Sequence, residues 1–186
     1  MNRKVIWYVM ENKVYFHIPK FEELTYRQKI MSQSDTMSYN KGYDVSYDGY
    51  HKDTGCIDFP KYKWRIWYSN RVNKKPKYFY AYIAREEDNS FIGEVNLNLS
   101  NKDRYYDMGI VIEAKYRGMG YSLEALRKLM KVAFEMYDAL EVHNDFEITR
   151  ISAIAIHKAV GFNIIDEVNG IAKLVITRED YFSKQS

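Results

Sequence analysis

The sequence predicts a mixed α/β fold in which antiparallel strands are followed by alternating helices and strands. Three observations predict it. Apolar and polar residues alternate over residues 78–112, as they do in the strands of a half-buried sheet. A glycine-bearing turn, Arg117–Ser122, leads from the last of these strands into an amphipathic segment with helical spacing. Near the C-terminus, Asn169-Gly170 separates two apolar runs, which is the signal of a hairpin with a type I′ turn.

In the N-terminal half, apolar spacing defines the elements and turn residues end them. The predicted elements are two strands within residues 3–18, a helix over 21–31 and a helix over 61–71, in which Trp64, Trp67 and Tyr68 share one face. Residues 32–59 between the helices show little periodicity. A connection of this length in a compact domain is often functional.

The C-terminal half has a more regular pattern. The predicted strands are Tyr78–Arg85, Phe91–Leu99, Tyr105–Ile112, Leu140–His143, Phe162–Val168 and Ile171–Thr177, and the predicted helices are Ser122–Tyr137 and Thr149–Val160. Short polar turns join the first three strands, so an antiparallel meander is their simplest arrangement. Gly161 follows the second helix, where a C-terminal cap belongs.

Composition narrows the class of protein. The 186 residues suffice for one domain, and a net charge of +3 gives no reason to expect a nucleic-acid partner. The single cysteine, Cys56, excludes an internal disulfide and fits a reducing compartment. No apolar run approaches the roughly 20 residues of a membrane helix. Four histidines without ligand spacing predict no metal site. We therefore expect a soluble, cytoplasmic protein with no membrane partner.

The Arg117–Ser122 turn carries the most specific chemistry. A glycine turn between a strand and a helix lets backbone N–H groups converge at the helix N-terminus, where an anion is stabilised. A pyrophosphate suits such a site. The turn therefore predicts binding of a phosphate-containing cofactor.

Two blocks of the sequence resemble motifs of a known family. Residues 116–126 contain Arg-Gly-Met-Gly-Tyr-Ser and are similar to the acetyl-CoA loop, (Gln/Arg)-x-x-Gly-x-(Gly/Ala), of the GCN5-related N-acetyltransferase (GNAT) superfamily. Residues 150–162 resemble that superfamily's following helix with its terminal Gly-Phe. With the spacing between them, the blocks extend the resemblance over residues 78–180.

The resemblance implies a single domain over residues 1–186, with an acceptor-side part over 1–75 and an acetyl-CoA-binding core over 76–180. Its mostly antiparallel sheet of six to seven strands is flanked by helices and splayed between the fourth and fifth strands, with acetyl-CoA as co-substrate in the gap. The implied cofactor-binding residues are Gly109, Ile110, Val111, Arg117, Gly118, Met119, Gly120, Tyr121, Ser122, Arg150 and His157. Of these, residues 109–111 would pair with the pantetheine arm and residues 118–122 would hold the pyrophosphate.

The chain departs from the superfamily's pattern at three positions. Ser122 stands where Gly or Ala is usual, although serine still presents its N–H and is favourable at a helix N-terminus. Arg150 stands where many members have a cofactor-contacting Asn. His157 occupies the position of the Tyr that, in many members, protonates the CoA thiolate. These departures leave cofactor binding better supported than catalysis.

The implied activity is transfer of an acetyl group to the primary amine of a small molecule or peptide by direct attack. His157 is the candidate acid, because imidazole titrates near neutral pH. Three carboxylates are candidate bases: Glu94, which shares a strand face with Asn96 and Asn98; Asp107, before the glycine turn; and Asp145, where one branch of the family carries a base. An ordered water is an equal candidate.

Two other functions fit parts of the sequence. The off-pattern residues fit an acyl-CoA-binding sensor or interaction module without catalysis. Basic and aromatic residues interleave over 61–77, as in some nucleic-acid binders, although an amphipathic helix explains the same residues.

The acidic, tyrosine-rich stretch over 39–68 suggests a pocket for a cationic amine. The assembly is expected to be a monomer or a homodimer.

Overall fold

The computed structural model describes residues 13–44 and 47–184, and its strands form one sheet. The strands are β1 (Val14–His17), β2 (Tyr78–Arg85), β3 (Phe91–Leu99), β4 (Tyr105–Ile112), β5 (Glu141–Glu147), β6 (Asn163–Val168) and β7 (Ile171–Thr177). Their order across this seven-stranded sheet is β1-β2-β3-β4-β5-β7-β6. Every neighbouring pair is antiparallel except β4 and β5, which are parallel. The predicted fold class is confirmed.

Six α-helices flank the sheet in the described part of the chain. They are α1 (Leu24–Met31), α2 (Ser34–Met37), α3 (Lys61–Arg71), α4 (Tyr121–Lys131), α5 (Ile151–Val160) and α6 (Arg178–Ser183). A π-helical turn, Val132–Met136, prolongs α4, and short 3₁₀ turns precede α1, follow α2 and precede α4.

Most predicted elements are confirmed, and the three central strands and α3 have the predicted bounds. The strand predicted near residue 5 lies outside the described residues. Several other predictions differ in extent. Residues 21–23 form a 3₁₀ turn before α1, and α4 begins one residue early and changes to a π turn. Strand β5 covers Glu141–Glu147, α5 begins only at Ile151, and β6 begins at Asn163. The connection over 32–59 contains α2 and a 3₁₀ turn, which are too short to show periodicity.

Helix α6 was missed, although the sequence contains its start signal. The Thr177 side chain accepts a hydrogen bond from the N–H of Asp180 at 3.1 Å, and the Asp180 carboxylate accepts one from the N–H of Thr177 at 3.3 Å. This reciprocal pair is a capping box, which satisfies two N–H groups that a helix start leaves unpaired.

The sheet has two chemically different faces. One face packs against α4, its π turn and α5, where apolar side chains such as Leu97, Leu126 and Leu174 form the main core. On the opposite face, packed in part by α1 and α3, strand register places Tyr80 beside Asn96 and Asn98 beside Asp107. Since alternate residues share a face, this side carries a row of polar groups across β2, β3 and β4.

The sheet opens between its two parallel strands. Paired residues join β4 and β5 only over Tyr105–Asp107, which face Glu141–His143. Beyond these pairs β4 continues to Ile112 beside β3, whereas β5 continues beside β7. The strands therefore diverge after the Asp107–His143 pair. This wedge-shaped gap is called the splay below, and its closed end lies at Asp107 and His143.

Candidate active site

The Arg117–Ser122 turn has the backbone geometry of an anion-binding site. Gly118 and Gly120 have left-handed φ angles of +77° and +84°, and Gly120 is the N-cap of α4. Within the described residues, the backbone N–H groups of residues 118–122 have no backbone acceptor. A Cβ on Gly118 would meet no atom within 4 Å, so the turn is open. This geometry fits a phosphate group at the start of α4.

The side chain of Arg117 ties this turn to α2. Its Nε donates to the carbonyl of Ile112 at 3.2 Å, Nη1 to that of Asp35 at 3.2 Å and Nη2 to that of Thr36 at 2.5 Å. Since three carbonyls engage the guanidinium, its contribution to the turn is to hold the backbone in place.

A lysine outside the predicted set lies beside the turn. The Glu124 carboxylate in α4 accepts hydrogen bonds from the backbone N–H groups of Lys13 and Val14 at 3.0–3.2 Å. These bonds place the start of β1 next to the turn. The Lys13 ammonium lies 3.9 Å from the position that a Cβ on Gly120 would take. Lys13 thus places an ammonium group beside the turn.

Three residues of β4 line the splay. Gly109, Ile110 and Val111 pair with β3 but have no partner on β5. The Asn96 side chain lies against Gly109 so closely that a Cβ there would come within 2.5 Å of its Nδ2 atom. Backbone groups that a neighbouring strand leaves unpaired suit the amides of an extended pantetheine arm. The splay and the turn at its open end together fit acetyl-CoA.

His157 is buried, and both ring nitrogens have partners within the protein. Its side chain is packed between Phe146 and Phe162, with ring centroids 5.0 and 5.1 Å away. Nδ1 lies 2.8 Å from the carbonyl of Ala153 and therefore donates to it. In the neutral ring, Nε2 then accepts from Nδ2 of Asn144 at 2.9 Å. This arrangement holds the ring rigidly and leaves no free N–H for a leaving group.

Burial lowers the pKa of His157, and the nearby Arg150 lowers it further, while the hydrogen bond to Ala153 acts in the opposite direction. The unfolded chain, with a histidine pKa of about 6.5, therefore binds this proton more readily than the folded chain does. We expect the free energy of unfolding to fall as pH drops below about 6.5, with a smaller fall in His157→Gln.

Urea denaturation of wild type and His157→Gln between pH 5 and 8, with NMR titration of the His157 ring, checks this expectation. The difference between the two proteins isolates one group, because other titrating groups are shared. A ring that titrates at or above the value of a free histidine would contradict the buried neutral state.

Arg150 joins the start of α5 to the N-terminal connection. Its guanidinium carbon lies 5.2 Å from the ring centre of Tyr39 and 5.0 Å from that of Phe146, and Nη1 is 3.9 Å from the Glu147 carboxylate. Burial raises the pKa of Tyr39 to about 12, so its hydroxyl stays protonated at neutral pH. Its described partner is a weak one, the Met37 sulfur at 4.0 Å.

Glu94 differs from the other two candidate bases because it forms a buried ion pair with Arg27. Its side chain is 4% exposed and contacts the guanidinium of Arg27, which is 15% exposed. The Tyr80 hydroxyl donates to the second carboxylate oxygen at 2.5 Å. Burial alone would lower the pKa of Arg27, but the Glu94 charge outweighs it and raises that pKa. Both carboxylate oxygens of Glu94 are therefore engaged by neighbouring side chains.

Asp107 and Asp145, by contrast, are exposed and line one pocket. This pocket, of about 390 Å³, lies at the closed end of the splay and also includes His143 and Lys173. His143 is hydrogen-bonded to the Glu141 carboxylate at 2.9 Å. The structure thus brings two of the three candidate bases together and leaves Glu94 apart.

Three of the four aspartates within residues 39–68, where an acidic pocket is predicted, have a basic partner. Asp44 pairs with Lys52 at 3.2 Å and Asp48 with Lys63 at 2.7 Å, and both aspartates are largely exposed. Asp58 pairs with a histidine at the surface. Lysines thus pair with two of the four aspartates of this loop at the surface, and the pocket for a cationic amine there stays a prediction.

Of the aromatic residues of α3, Trp64 is buried, Trp67 and Tyr68 are half-buried, and Tyr62 is exposed. Trp64 is 5% exposed, and its indole N–H donates to the carbonyl of Phe59 at 3.0 Å. Trp67 lies edge-on to Tyr80, with ring centres 4.7 Å apart. Trp64, Trp67 and Tyr68 pack toward the protein and Tyr62 faces solvent, which is the pattern of an amphipathic helix.

Sequence reasoning missed several residues at this site. Lys13 and Tyr39 lie far from β4 in sequence and belong to no periodic motif. Asn144 follows the predicted end of its strand, although an amide directly before the candidate base Asp145 was a usable signal. Among the described residues, no group of three or more His, Cys, Asp or Glu side chains is placed to hold a metal ion. None of the described helices has the length and apolarity needed to cross a bilayer.

Comparison with known proteins agrees with this geometry. The family model described as an acetyltransferase (GNAT) domain matches residues 19–163. An acetyltransferase of the GNAT family from Bacillus anthracis is 14% identical with a TM-score of 0.68, over 90% of this chain and 96% of its own. Spermidine N-acetyltransferase from Vibrio cholerae, solved with CoA and spermine, is 12% identical with a TM-score of 0.72, over 91% of this chain and 98% of its own.

At these identities the solved structures establish the fold alone. No curated protein sequence matches the chain significantly. The family model covers more than half of the chain, including the glycine turn, the splay and α5. The chain therefore belongs to the GNAT family of acetyltransferases.

Proposed function

We propose that this chain is an acetyl-CoA-dependent N-acetyltransferase that acts on a primary amine of a small molecule or peptide. One observation carries the proposal: an open anion-binding turn and a carboxylate-lined pocket lie at opposite ends of the same splay. The V. cholerae enzyme of the same fold was solved with CoA and an amine, which supports this arrangement. Acetyl-CoA supplies the acetyl group as a thioester.

Different residues along the splay bind different parts of acetyl-CoA in this proposal. The N–H groups of residues 118–122 and the Lys13 ammonium would hold the pyrophosphate. The unpaired edge of Gly109–Val111 would orient the pantetheine arm. The thioester would then lie toward the closed end of the splay, near Asp107.

Asp107 is our candidate for the base. It is exposed, lines the pocket and belongs to the last residue pair before the strands diverge. Its carboxylate is free to accept a proton from the ammonium form of the acceptor, directly or through a water. Asp145, on the far side of the same pocket, is the second candidate.

His157 has a positioning role in this proposal. Its bond to Nδ2 of Asn144 orients an amide that lines the reaction pocket. The thiolate of a thiol with a pKa of about 8.5 is a moderately good leaving group without an acid. The hydrogen bonds of His157 are also the observation that favours the second function, a non-catalytic acyl-CoA-binding module.

Two assays decide between these functions. Acetyl-CoA that raises the melting temperature supports both of them, because it binds the folded state. Release of free thiol on addition of primary amines then supports the enzyme alone. Binding without thiol release across amines, amino acids and peptides would leave the sensor as the function.

We expect Gly120→Val to weaken acetyl-CoA binding at least about tenfold, equivalent to about 1.4 kcal/mol. Gly120 has a φ of +84°, which a β-branched residue adopts only under strain, and the new side chain would enter the open turn. Calorimetric titration with acetyl-CoA measures the loss.

The matched control is Gly170→Val in the β6–β7 hairpin. Gly170 has a similar φ of +76° and equally open surroundings, but it lies outside the site. Its variant should lose stability and keep its affinity. Wild-type affinity in Gly120→Val would show that the pyrophosphate binds elsewhere.

A further inference from the structure

A second pocket lies on the polar face of the sheet, next to the splay. Its volume is about 200 Å³, and its lining includes two guanidinium groups, two carboxamides and several aromatic rings. The residues that matter here are Arg27, Trp67, Arg71, Tyr80, Asn96 and Asn98. Because Asn96 also lies against Gly109, the inner end of this pocket adjoins β4 where the thioester would lie.

The two arginines of this pocket differ in their partners. The charge of Arg27 is balanced by Glu94, whose carboxylate it contacts. Arg71 forms no ion pair with any described carboxylate; its Nη1 donates to the neutral Oδ1 of Asn98 at 2.9 Å. Its guanidinium carbon lies 4.4 Å from the ring centre of Tyr78. The pocket therefore carries one uncompensated positive charge, on a guanidinium held in place by stacking.

Donors also outnumber acceptors on this side of the pocket. The Nε atom of Arg27 is buried and has no acceptor among the described residues. In Arg71, a single donor is engaged and the rest of the guanidinium fork has no described acceptor. A carboxylate fits such a fork with two parallel hydrogen bonds, whereas an ammonium would be repelled.

The opposite charge lies one strand away. Asn98, which accepts from Arg71, is the register partner of Asp107 on β4. Residues directly opposite in neighbouring strands have Cβ atoms about 5 Å apart. Positive charge at Arg71 and negative charge at Asp107 therefore lie on the same face, within the span of a small zwitterion.

We infer that the acceptor is a small amine that also carries a carboxylate, with the carboxylate bound by Arg71 and the amine directed toward Asp107. This inference rests on the proposed acetyltransferase function and specifies its substrate class. Trp67 and Tyr80 add an apolar wall, so an amino acid with an aromatic or aliphatic side chain fits the lining. A polycation such as the spermine of the V. cholerae complex does not match this charge.

Matched acceptors test the inference. Thiol release is measured with L-phenylalanine, its amide and phenethylamine, and with spermine. We expect the carboxylate-bearing acceptor to have the highest kcat/KM, and Arg71→Gln to lower its advantage over phenethylamine by about 10-fold to 100-fold, the range for a charged hydrogen bond. Arg71→Lys should restore part of the advantage.

Arg65→Gln, an exposed arginine on the same helix, is the control and should keep the wild-type ratio. Phenethylamine or spermine acetylated as well as phenylalanine would overturn the inference and leave the acetyltransferase proposal intact. Acetyl-CoA binding with no amine acetylated would instead remove the proposed function.

A binding measurement tests the substrate class independently of whether the protein catalyses acetyl transfer. In the presence of acetyl-CoA, 3-phenylpropionate should raise the melting temperature of wild type, its neutral counterpart 3-phenylpropanol should raise it less, and Arg71→Gln should abolish the difference. Equal shifts with the acid and the alcohol in wild type would overturn the inference without any turnover.

Discussion

Asp107→Asn is expected to lower kcat/KM for the amine acceptor by about 100-fold to 10,000-fold, the range of a positioned general base. Asparagine keeps the size of the side chain and removes its capacity to accept a proton. Because Asp107 is exposed on β4, the fold should not depend on its charge. Acetyl-CoA affinity and melting temperature should therefore stay near their wild-type values, which separates a chemical defect from a structural one.

Two further variants serve as a control and as a test of the alternative base. Asp103→Asn, in the exposed turn before β4, changes the same charge outside the pocket and should retain full activity. Asp145→Asn tests the other pocket carboxylate and should have a smaller effect than Asp107→Asn. If Asp145→Asn loses activity and Asp107→Asn keeps it, the base is Asp145. Full activity in both would point to an ordered water as the base.

Arg27→Met is expected to lower the free energy of unfolding by about 3–5 kcal/mol. The substitution leaves the Glu94 carboxylate buried without its cation, and its side chain is only 4% exposed. A carboxylate in that position must either stay charged at a high desolvation cost or take up a proton. Urea denaturation measures the loss, which corresponds to a fall in melting temperature of about 2–4 °C per kcal/mol.

A surface ion pair provides the comparison. Lys52→Met removes the cation from Asp44, whose side chain is almost fully exposed, and should cost less than about 1 kcal/mol. The double variant Arg27→Met/Glu94→Gln should regain part of the loss, since no uncompensated charge then remains. A loss in Arg27→Met no larger than in Lys52→Met would show that the buried pair contributes little to stability.

The helices, strands and glycine turn were predictable because their signals are local. Apolar runs bounded by polar turns gave the bounds of β2, β3 and β4. In β4 one face is more buried than the other, whereas β2 is buried on both faces. The left-handed torsions of Gly118 and Gly120 are of a kind that glycine adopts without a steric penalty. In such cases neighbouring residues decide the structure.

Roles that depend on distant partners were not predictable. Glu94, Asp107 and Asp145 are all carboxylates on strands, and nothing near them in sequence tells them apart. Arg27, more than sixty residues from Glu94, removes that residue from the candidate bases. His157 likewise matched a catalytic position, while its neutral, hydrogen-bonded state depends on Asn144 in another strand.

The sequence by itself determined the order of elements, the family and the turn suited to a pyrophosphate, because these follow from periodicity and from a short motif. Only the tertiary structure decided which charges are balanced and which are free. Asp44 and Asp48 are paired with lysines at the surface, and Arg71, beside the splay, has no carboxylate partner among the described residues. Electrostatic balance is a property of distances between side chains, and those distances are set by packing between elements far apart in the chain.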